Sequence, residues 1–101
     1  MTYLAIDFGG GSGRVVAGTI ISENGEKRLS MQLVHRFGNR QVRLGEHVYW
    51  DFPALFADMK EGLAKAARMG LDVAGIAVDT WGVDFGLVDA QGCLVGNPVC
   101  Y

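Results

Sequence analysis

The sequence predicts an α/β fold: three antiparallel strands, a helix, and then a strand running parallel to the first. Three observations carry this expectation. Two short apolar runs, residues 3–8 and 14–21, meet across the glycine turn Gly9-Gly10-Gly11-Ser12-Gly13, which is the pattern of a hairpin. Beyond residue 51 the apolar positions Leu55, Phe56, Met59, Leu63, Ala66 and Ala67 recur at helical spacing. A near-continuous apolar run, residues 73–78, follows that segment, and a buried strand reached through a crossover helix pairs in parallel.

Each element has its own local reason. Residues 3–8 are apolar, short and closed by glycine, which favours a strand over a helix. Residues 14–21 carry Val15, Val16, Ile20 and Ile21 around small residues and form the natural antiparallel partner. Asn24-Gly25 supplies the positive φ values of a tight hairpin turn. From Leu29 the pattern alternates, placing Leu29, Met31, Leu33, His35 and Phe37 on one face and Ser30, Gln32, Val34 and Arg36 on the other, so a half-buried third strand is expected. Residues 38–45 are polar, basic and glycine-containing and read as a loop. Asp51 reads as a helix N-cap, with Trp50 set to pack on Leu55 and Pro53 in the first turn, where its missing N–H is not needed. Glu61 precedes Lys65 by one turn, the spacing of a helical ion pair, and Gly70 closes the helix. After the break at Trp81-Gly82, residues 85–88 and 93–95 read as a strand pair around a turn at 89–92. The chain then stops at Pro98-Val99-Cys100-Tyr101 without a closing helix, which reads as truncation.

Composition narrows the class. At 101 residues, half of them apolar, the chain suits one globular unit. Its net charge is −2 and its nine Lys and Arg are scattered, so it lacks the basic face of a nucleic-acid binder. No apolar run approaches the roughly 18 residues that span a bilayer, and no basic leader precedes the first strand; no membrane partner and a cytoplasmic location are expected. Cys93 and Cys100 form no CxxC or zinc pattern and read as reduced thiols.

The glycine turn carries the chemistry. A Walker loop is excluded because no lysine follows these glycines, and a dinucleotide fingerprint fails because Arg14 replaces its last glycine and strand-forming residues follow. Two readings remain. One is a hairpin turn capped by Asp7 and Ser12 with no ligand. The other is a phosphate-binding hairpin, in which backbone N–H groups of Gly10, Gly11 and Gly13, the Ser12 hydroxyl and Arg14 meet phosphate oxygens. Four glycines in five residues cost much conformational entropy, and a functional loop is a reason to retain them. In the second reading Asp7 is the metal candidate, holding Mg²⁺ largely through water.

The order Asp7-Phe8-Gly9-Gly10-Gly11-Ser12-Gly13-Arg14 resembles the phosphate motif DxG(T/A)xSxR that opens the FGGY carbohydrate kinases, which share the ribonuclease H-like fold of actin, hexokinase and heat-shock ATPases. Asp79-Thr80-Trp81-Gly82-Val83-Asp84-Phe85, with His35-Arg36-Phe37 and Tyr49-Trp50-Asp51, extends the resemblance along the whole chain. It implies that residues 1–101 are part of the N-terminal domain of an enzyme several times longer, with the remainder of that domain and a C-terminal domain absent from this chain. The implied activity is transfer of the ATP γ-phosphate to a deoxyketose, L-rhamnulose first and L-fuculose as the alternative, with ATP and Mg²⁺ as cofactors. By position, Gly10, Gly11, Ser12, Gly13 and Arg14 would approach the ATP phosphates, Asp7 the magnesium and Gly82 the sugar. Gly10 and Gly11 depart from the motif, where Thr or Ala and then another residue are usual; the loss of a hydroxyl there would remove one phosphate contact, and backbone donors would have to suffice. The catalytic aspartate, second phosphate loop and adenosine site would lie beyond Tyr101, leaving this chain with no catalytic residue and expected to be inactive alone. A non-catalytic ATP-binding or interaction module is the reading from another class.

In the second cluster, Asp79 and Asp84 are both candidates for sugar hydroxyls. Asp79 reads equally well as a loop cap. Trp81 offers an apolar face to a deoxy sugar but reads first as packing beside a buried strand. His35, on an apolar strand face, reads as a structural histidine rather than a ligand. Covering helices are missing on one side of the expected sheet, so self-association through exposed strand surface is also expected.

Overall fold

The computed structural model describes the whole chain, Met1 to Tyr101. In order it contains β1 (Thr2–Phe8), β2 (Ser12–Glu23), β3 (Glu26–Gly38), β4 (Gln41–Leu44), β5 (His47–Trp50), α1 (Phe52–Arg68) and β6 (Val73–Asp79). The α/β class is as expected. Four strands form a mixed sheet in the order β3-β2-β1-β6, with β6 parallel to β1 and the other pairs antiparallel, while β4 and β5 form a separate hairpin.

The helix covers one face of this sheet. Leu4 and Ile6 of β1 and Val15 and Ala17 of β2 pack with Ala66 of α1 into the main core. A second cluster joins Phe37, Trp50 and Leu55, so Trp50 meets Leu55 across the helix start as the staple pattern requires. Asp51 caps the helix, its carboxylate accepting from Ala54 N at 3.3 Å. Gly70, at φ +72°, follows the C-cap Met69, and Asn24 and Gly25 take positive φ in the β2–β3 turn.

Four expectations are corrected. First, β3 does not keep one face throughout. Val15 pairs with His35 but Val16 pairs with Leu33, leaving Val34 as an extra residue. This bulge reverses the side-chain phase: His35 and Phe37 face the helix, whereas Leu29, Met31 and Leu33 lie on the opposite face and are exposed. Second, β6 is not buried. It is an edge strand that α1 leaves largely uncovered: Val73 packs against the main core, but Ile76 and Val78 are each 55% exposed. Third, residues 38–45 are not a plain loop, because Gln41–Leu44 pairs with His47–Trp50 around Gly45 at φ +63°. Residues 98–100 then add to β5, with Trp50 N donating to Pro98 O at 2.9 Å and Cys100 N to Val48 O at 2.8 Å. Fourth, Glu61 pairs with Arg68 at 3.1 Å rather than with Lys65; Lys65 turns inward and donates to His35 Nδ1 at 2.8 Å.

Residues 85–95 form less regular structure than expected. The turn at 89–92 is present, held by the Asp89 carboxylate accepting from Gln91 N and Cys93 N, both at 2.9 Å. Only a single bridge, Val88 to Leu94, joins its two sides. The whole molecule is elongated, with a radius of gyration of 16.3 Å and a long axis of 59 Å, against about 13 Å for a compact domain of this length. The distal β2–β3 hairpin, projecting past the start of β1, contributes to the length. No helix is long and apolar enough to cross a membrane.

The sheet and helix approach closely at Gly62. This residue is buried, and a Cβ there would collide with Val15 Cγ2. Alanine at an exposed helix position would gain about 1 kcal/mol in propensity over glycine, but overpacking a tight core costs about 1–3 kcal/mol. Gly62→Ala is therefore expected to lower the midpoint of urea unfolding despite raising intrinsic helicity, as monitored by circular dichroism.

Candidate functional site

β1 and β2 deliver the glycine turn to one end of the sheet. Their pairing is continuous from Thr2 opposite Thr19 to Phe8 opposite Gly13. The turn therefore emerges from two strands whose core-facing residues are fully packed. Gly13 is required at its base, since a Cβ there would run into the Phe37 ring. Gly9 N donates to Ser12 O at 3.0 Å and closes the turn.

The tip of the turn is open. A Cβ on Gly10 or Gly11 would meet nothing within 4 Å, and neither amide N–H donates to an acceptor in the protein. Two adjacent N–H groups without a protein acceptor on a turn are donors of the kind that anions use. Asp7, Ser12 and Arg14 come together at its side. Arg14 Nη1 donates to Asp7 Oδ2 at 2.5 Å, and Nη2 donates to Ser12 Oγ at 2.8 Å and Ser12 O at 3.2 Å. The Asp7–Arg14 pair is partly solvated, and pairs of that kind contribute at most about 1 kcal/mol. Its value is geometric, holding a guanidinium and a carboxylate beside the free amides.

Strand register extends this charge row. Arg36, Arg14, Asp7 and Asp79 are cross-strand neighbours in sequence across β3, β2, β1 and β6, and all four side chains lie on the sheet face away from α1. Asp7 and Asp79 thus occupy the same face at the ends of two parallel strands. No cluster of three or more His, Cys, Asp or Glu is present. One or two carboxylates with room for water and phosphate are nonetheless the donor set that Mg²⁺ uses, so the residues fit that ion.

The segment around Trp81 is arranged differently from the polar row. Trp81 stacks on Trp50 with centroids 3.9 Å apart and planes 14° apart, and its ring lies 6.1 Å from Phe8. Its indole Nε1 donates to Gly9 O at 3.1 Å. Asp84 has both oxygens engaged: Oδ2 accepts from Trp50 Nε1 at 2.5 Å and Oδ1 from Tyr101 N at 2.9 Å. Gly82 is exposed with open space around its Cα. Of the predicted substrate residues, Asp79 and Gly82 therefore present free surface, whereas Trp81 and Asp84 spend their polar atoms on the protein. A groove of about 470 Å³ opens beside Asp84, between residues 83–87 and 95–101. His35 is structural as expected, its Nδ1 accepting from Lys65.

Two participants were not singled out by sequence for this site. Asn39 donates from Nδ2 to Gly9 O, and its own backbone N donates to Gly11 O at 3.3 Å. Trp50 carries the stacking platform for Trp81. The available signal for Asn39 was its place just after Gly38, which pairs with Ser12 at the mouth of the turn. Such a register is visible only once the bulge at Val34 is known.

The thiols differ in setting. Cys93 is exposed and Cys100 is half-buried. Burial, and secondarily the Asp84 carboxylate, push the Cys100 thiol above its ordinary value. The fold then binds that proton more tightly than the unfolded chain does, so its contribution to stability falls as pH climbs past the ordinary thiol range. At pH 8 iodoacetamide is expected to alkylate Cys93 well before Cys100. Asp84→Asn removes a negative charge facing the thiolate and should narrow that gap, as peptide mass mapping over time would show.

No family model matches the chain. Individual relatives do. It is 38% identical over 99 residues to a rhamnulokinase of Bacteroides thetaiotaomicron, covering 98% of this chain. It is 36% identical over 98 residues to one of Klebsiella pneumoniae and 37% identical over 101 residues to one of Mannheimia succiniciproducens. In each case the chain spans about 20% of the relative's length. The likeness to rhamnulokinases runs through all the elements described, including the glycine turn and the Trp81 segment.

Proposed function

We propose, from the premise that this chain is akin throughout to one fifth of a rhamnulokinase, that it forms part of an FGGY carbohydrate kinase with a ribonuclease H-like, actin-like domain. The parent transfers the γ-phosphate of ATP to L-rhamnulose, giving L-rhamnulose 1-phosphate, in the cytoplasm. The observation that carries this reading is the open turn: two unpaired backbone amides, at Gly10 and Gly11, flanked by Ser12, Arg14 and Asp7 in the order of the family's phosphate motif.

In this reading the turn binds and orients the ATP phosphates. Gly10 and Gly11 donate backbone N–H groups, and Ser12 and Arg14 add side-chain donors. Arg14 is already extended over the turn, and its planar fork suits phosphate oxygens. Asp7, with Asp79 on the same face, would hold Mg²⁺, which would supply charge neutralisation of the phosphate oxygens. Gly82 meets the sugar through its backbone. Phosphoryl transfer depends chiefly on positioning and charge stabilisation, so this chain contributes one wall of the site. The proton acceptor for the sugar hydroxyl is assigned to an aspartate elsewhere in the parent. The 101 residues alone are accordingly read as inactive.

The sheet face away from α1, with Tyr3, Ile20, Leu29, Met31 and Leu33 exposed, further supports association of the isolated chain with itself. Sedimentation velocity over a rising concentration series is expected to show a dimer or larger species, and a strict monomer throughout would count against it.

The enzymatic reading is tested on the parent protein. Purified with ATP and Mg²⁺, it is expected to phosphorylate L-rhamnulose in preference to L-fuculose, and Arg14→Ala is expected to raise the KM for ATP. Preference for L-fuculose would move the substrate; no phosphoryl transfer to either ketose would remove the kinase reading in favour of a non-catalytic ATP-binding module.

A further inference from the structure

The glycine turn has no side chains of its own with which to hold its backbone, apart from Ser12. Its orientation is set from outside. Two N–H donors from distant parts of the chain converge on one acceptor, the Gly9 carbonyl: Asn39 Nδ2, from the segment after β3, and Trp81 Nε1, from the segment after β6. The Gly9–Gly10 peptide is trans, like every peptide bond in the chain. In a planar trans peptide the C=O and the following N–H point in opposite directions. Fixing the Gly9 oxygen against Asn39 and Trp81 therefore aims the Gly10 N–H away from them, into the space where that amide has no protein acceptor and a Cβ would touch nothing.

We infer that Asn39 and Trp81 are positioning residues for the Gly10 amide, with Trp81 acting on the phosphate turn rather than on the sugar. The supports of the two donors differ in kind. Trp81 is fixed by its stack on Trp50, whose own indole is tethered to Asp84. Asn39 follows directly on Gly38, the last residue of β3, and is held in place by the pairing of that strand with β2; its backbone N also donates to Gly11 O. The carbonyl is thereby gripped by two independently anchored groups, and a peptide flip in this glycine-rich turn, otherwise easy, requires breaking both bonds.

The kinetic side of this inference rests on the proposed kinase reading; the structural side does not. Trp81→Phe keeps an aromatic ring on Trp50 and deletes the indole N–H, and Asn39→Ala deletes the other donor. In the 101-residue chain, ¹⁵N relaxation is expected to give a Gly10 order parameter near the rigid value of about 0.85 and to show it falling toward about 0.6 in either variant. Unchanged order parameters in both variants would overturn the inference. In the intact kinase, Trp81→Phe is expected to raise the KM for ATP about fivefold, the effect of one net hydrogen bond, with the KM for the ketose unchanged. A rise in the ketose KM alone would make Trp81 a sugar contact and overturn the assignment. Loss of order at Gly10 without any change in ATP kinetics would leave the positioning role standing and remove the phosphate reading of the turn.

Discussion

The rest of the molecule depends on β1 being hydrogen-bonded along both edges. β2 pairs with it antiparallel without a break from Thr2 to Phe8, and β6 pairs with it parallel, in one register from Tyr3 to Asp7 after a shift at Ala74. A strand held on both sides and packed on one face has almost no freedom to slip, because a one-residue shift would drive Leu4 and Ile6 out of the core and place Tyr3 and Ala5 beneath the helix. That constraint is what makes the end of β1 a dependable platform. Asp7 leaves the sheet at a fixed place, the turn begins at a fixed place, and β6 brings Asp79 to the same level. The polar row across the sheet is a consequence of strand pairing, and its members need no contact with one another to be aligned.

Much of this was legible in the residues, for reasons that can be named. The β1–β2 hairpin, the Asn24-Gly25 turn, the Asp51 cap and the Gly70 stop are written in local chemistry: each depends on a residue type at a position whose partner lies within a few residues. The class of the fold followed from those signals in combination. What could not be read locally was which surface each strand would bury. The apolar run of β6 looks like a buried strand because its composition is that of one, yet α1 lies over β1, β2 and β3 and leaves Ile76 and Val78 uncovered. Residues 41–44, Gln-Val-Arg-Leu, alternate polar with apolar over four positions only, too short a run to stand out from the polar, glycine-containing stretch around it, and their strand form comes from pairing with residues 47–50.

The candidate site divides along the same line. Asp7, Ser12 and Arg14 are close in sequence, and their convergence could be anticipated from the turn itself. Trp81 and Asn39 reach Gly9 from 72 and 30 residues away, and nothing in either local segment announces that contact. Lys65 is a further case. Helical spacing suggests Glu61 as its partner, but the half-buried His35 on a neighbouring strand accepts from Lys65 instead, and the exposed Glu61 pairs with Arg68. Long-range hydrogen bonds can thus override the pairings that local spacing favours.

The bulge at Val34 has a consequence beyond the register it sets. It works as a phase shifter within a single strand, so β3 serves two masters. Its last residues answer to the helix side through His35 and Phe37, while its earlier residues present Leu29, Met31 and Leu33 to the other side of the sheet. The two halves can accordingly vary under separate selection: changes in one alter the packing beneath α1, changes in the other alter only what the opposite face accepts. One inserted residue thus lets a continuous ribbon of backbone carry two unrelated chemical addresses.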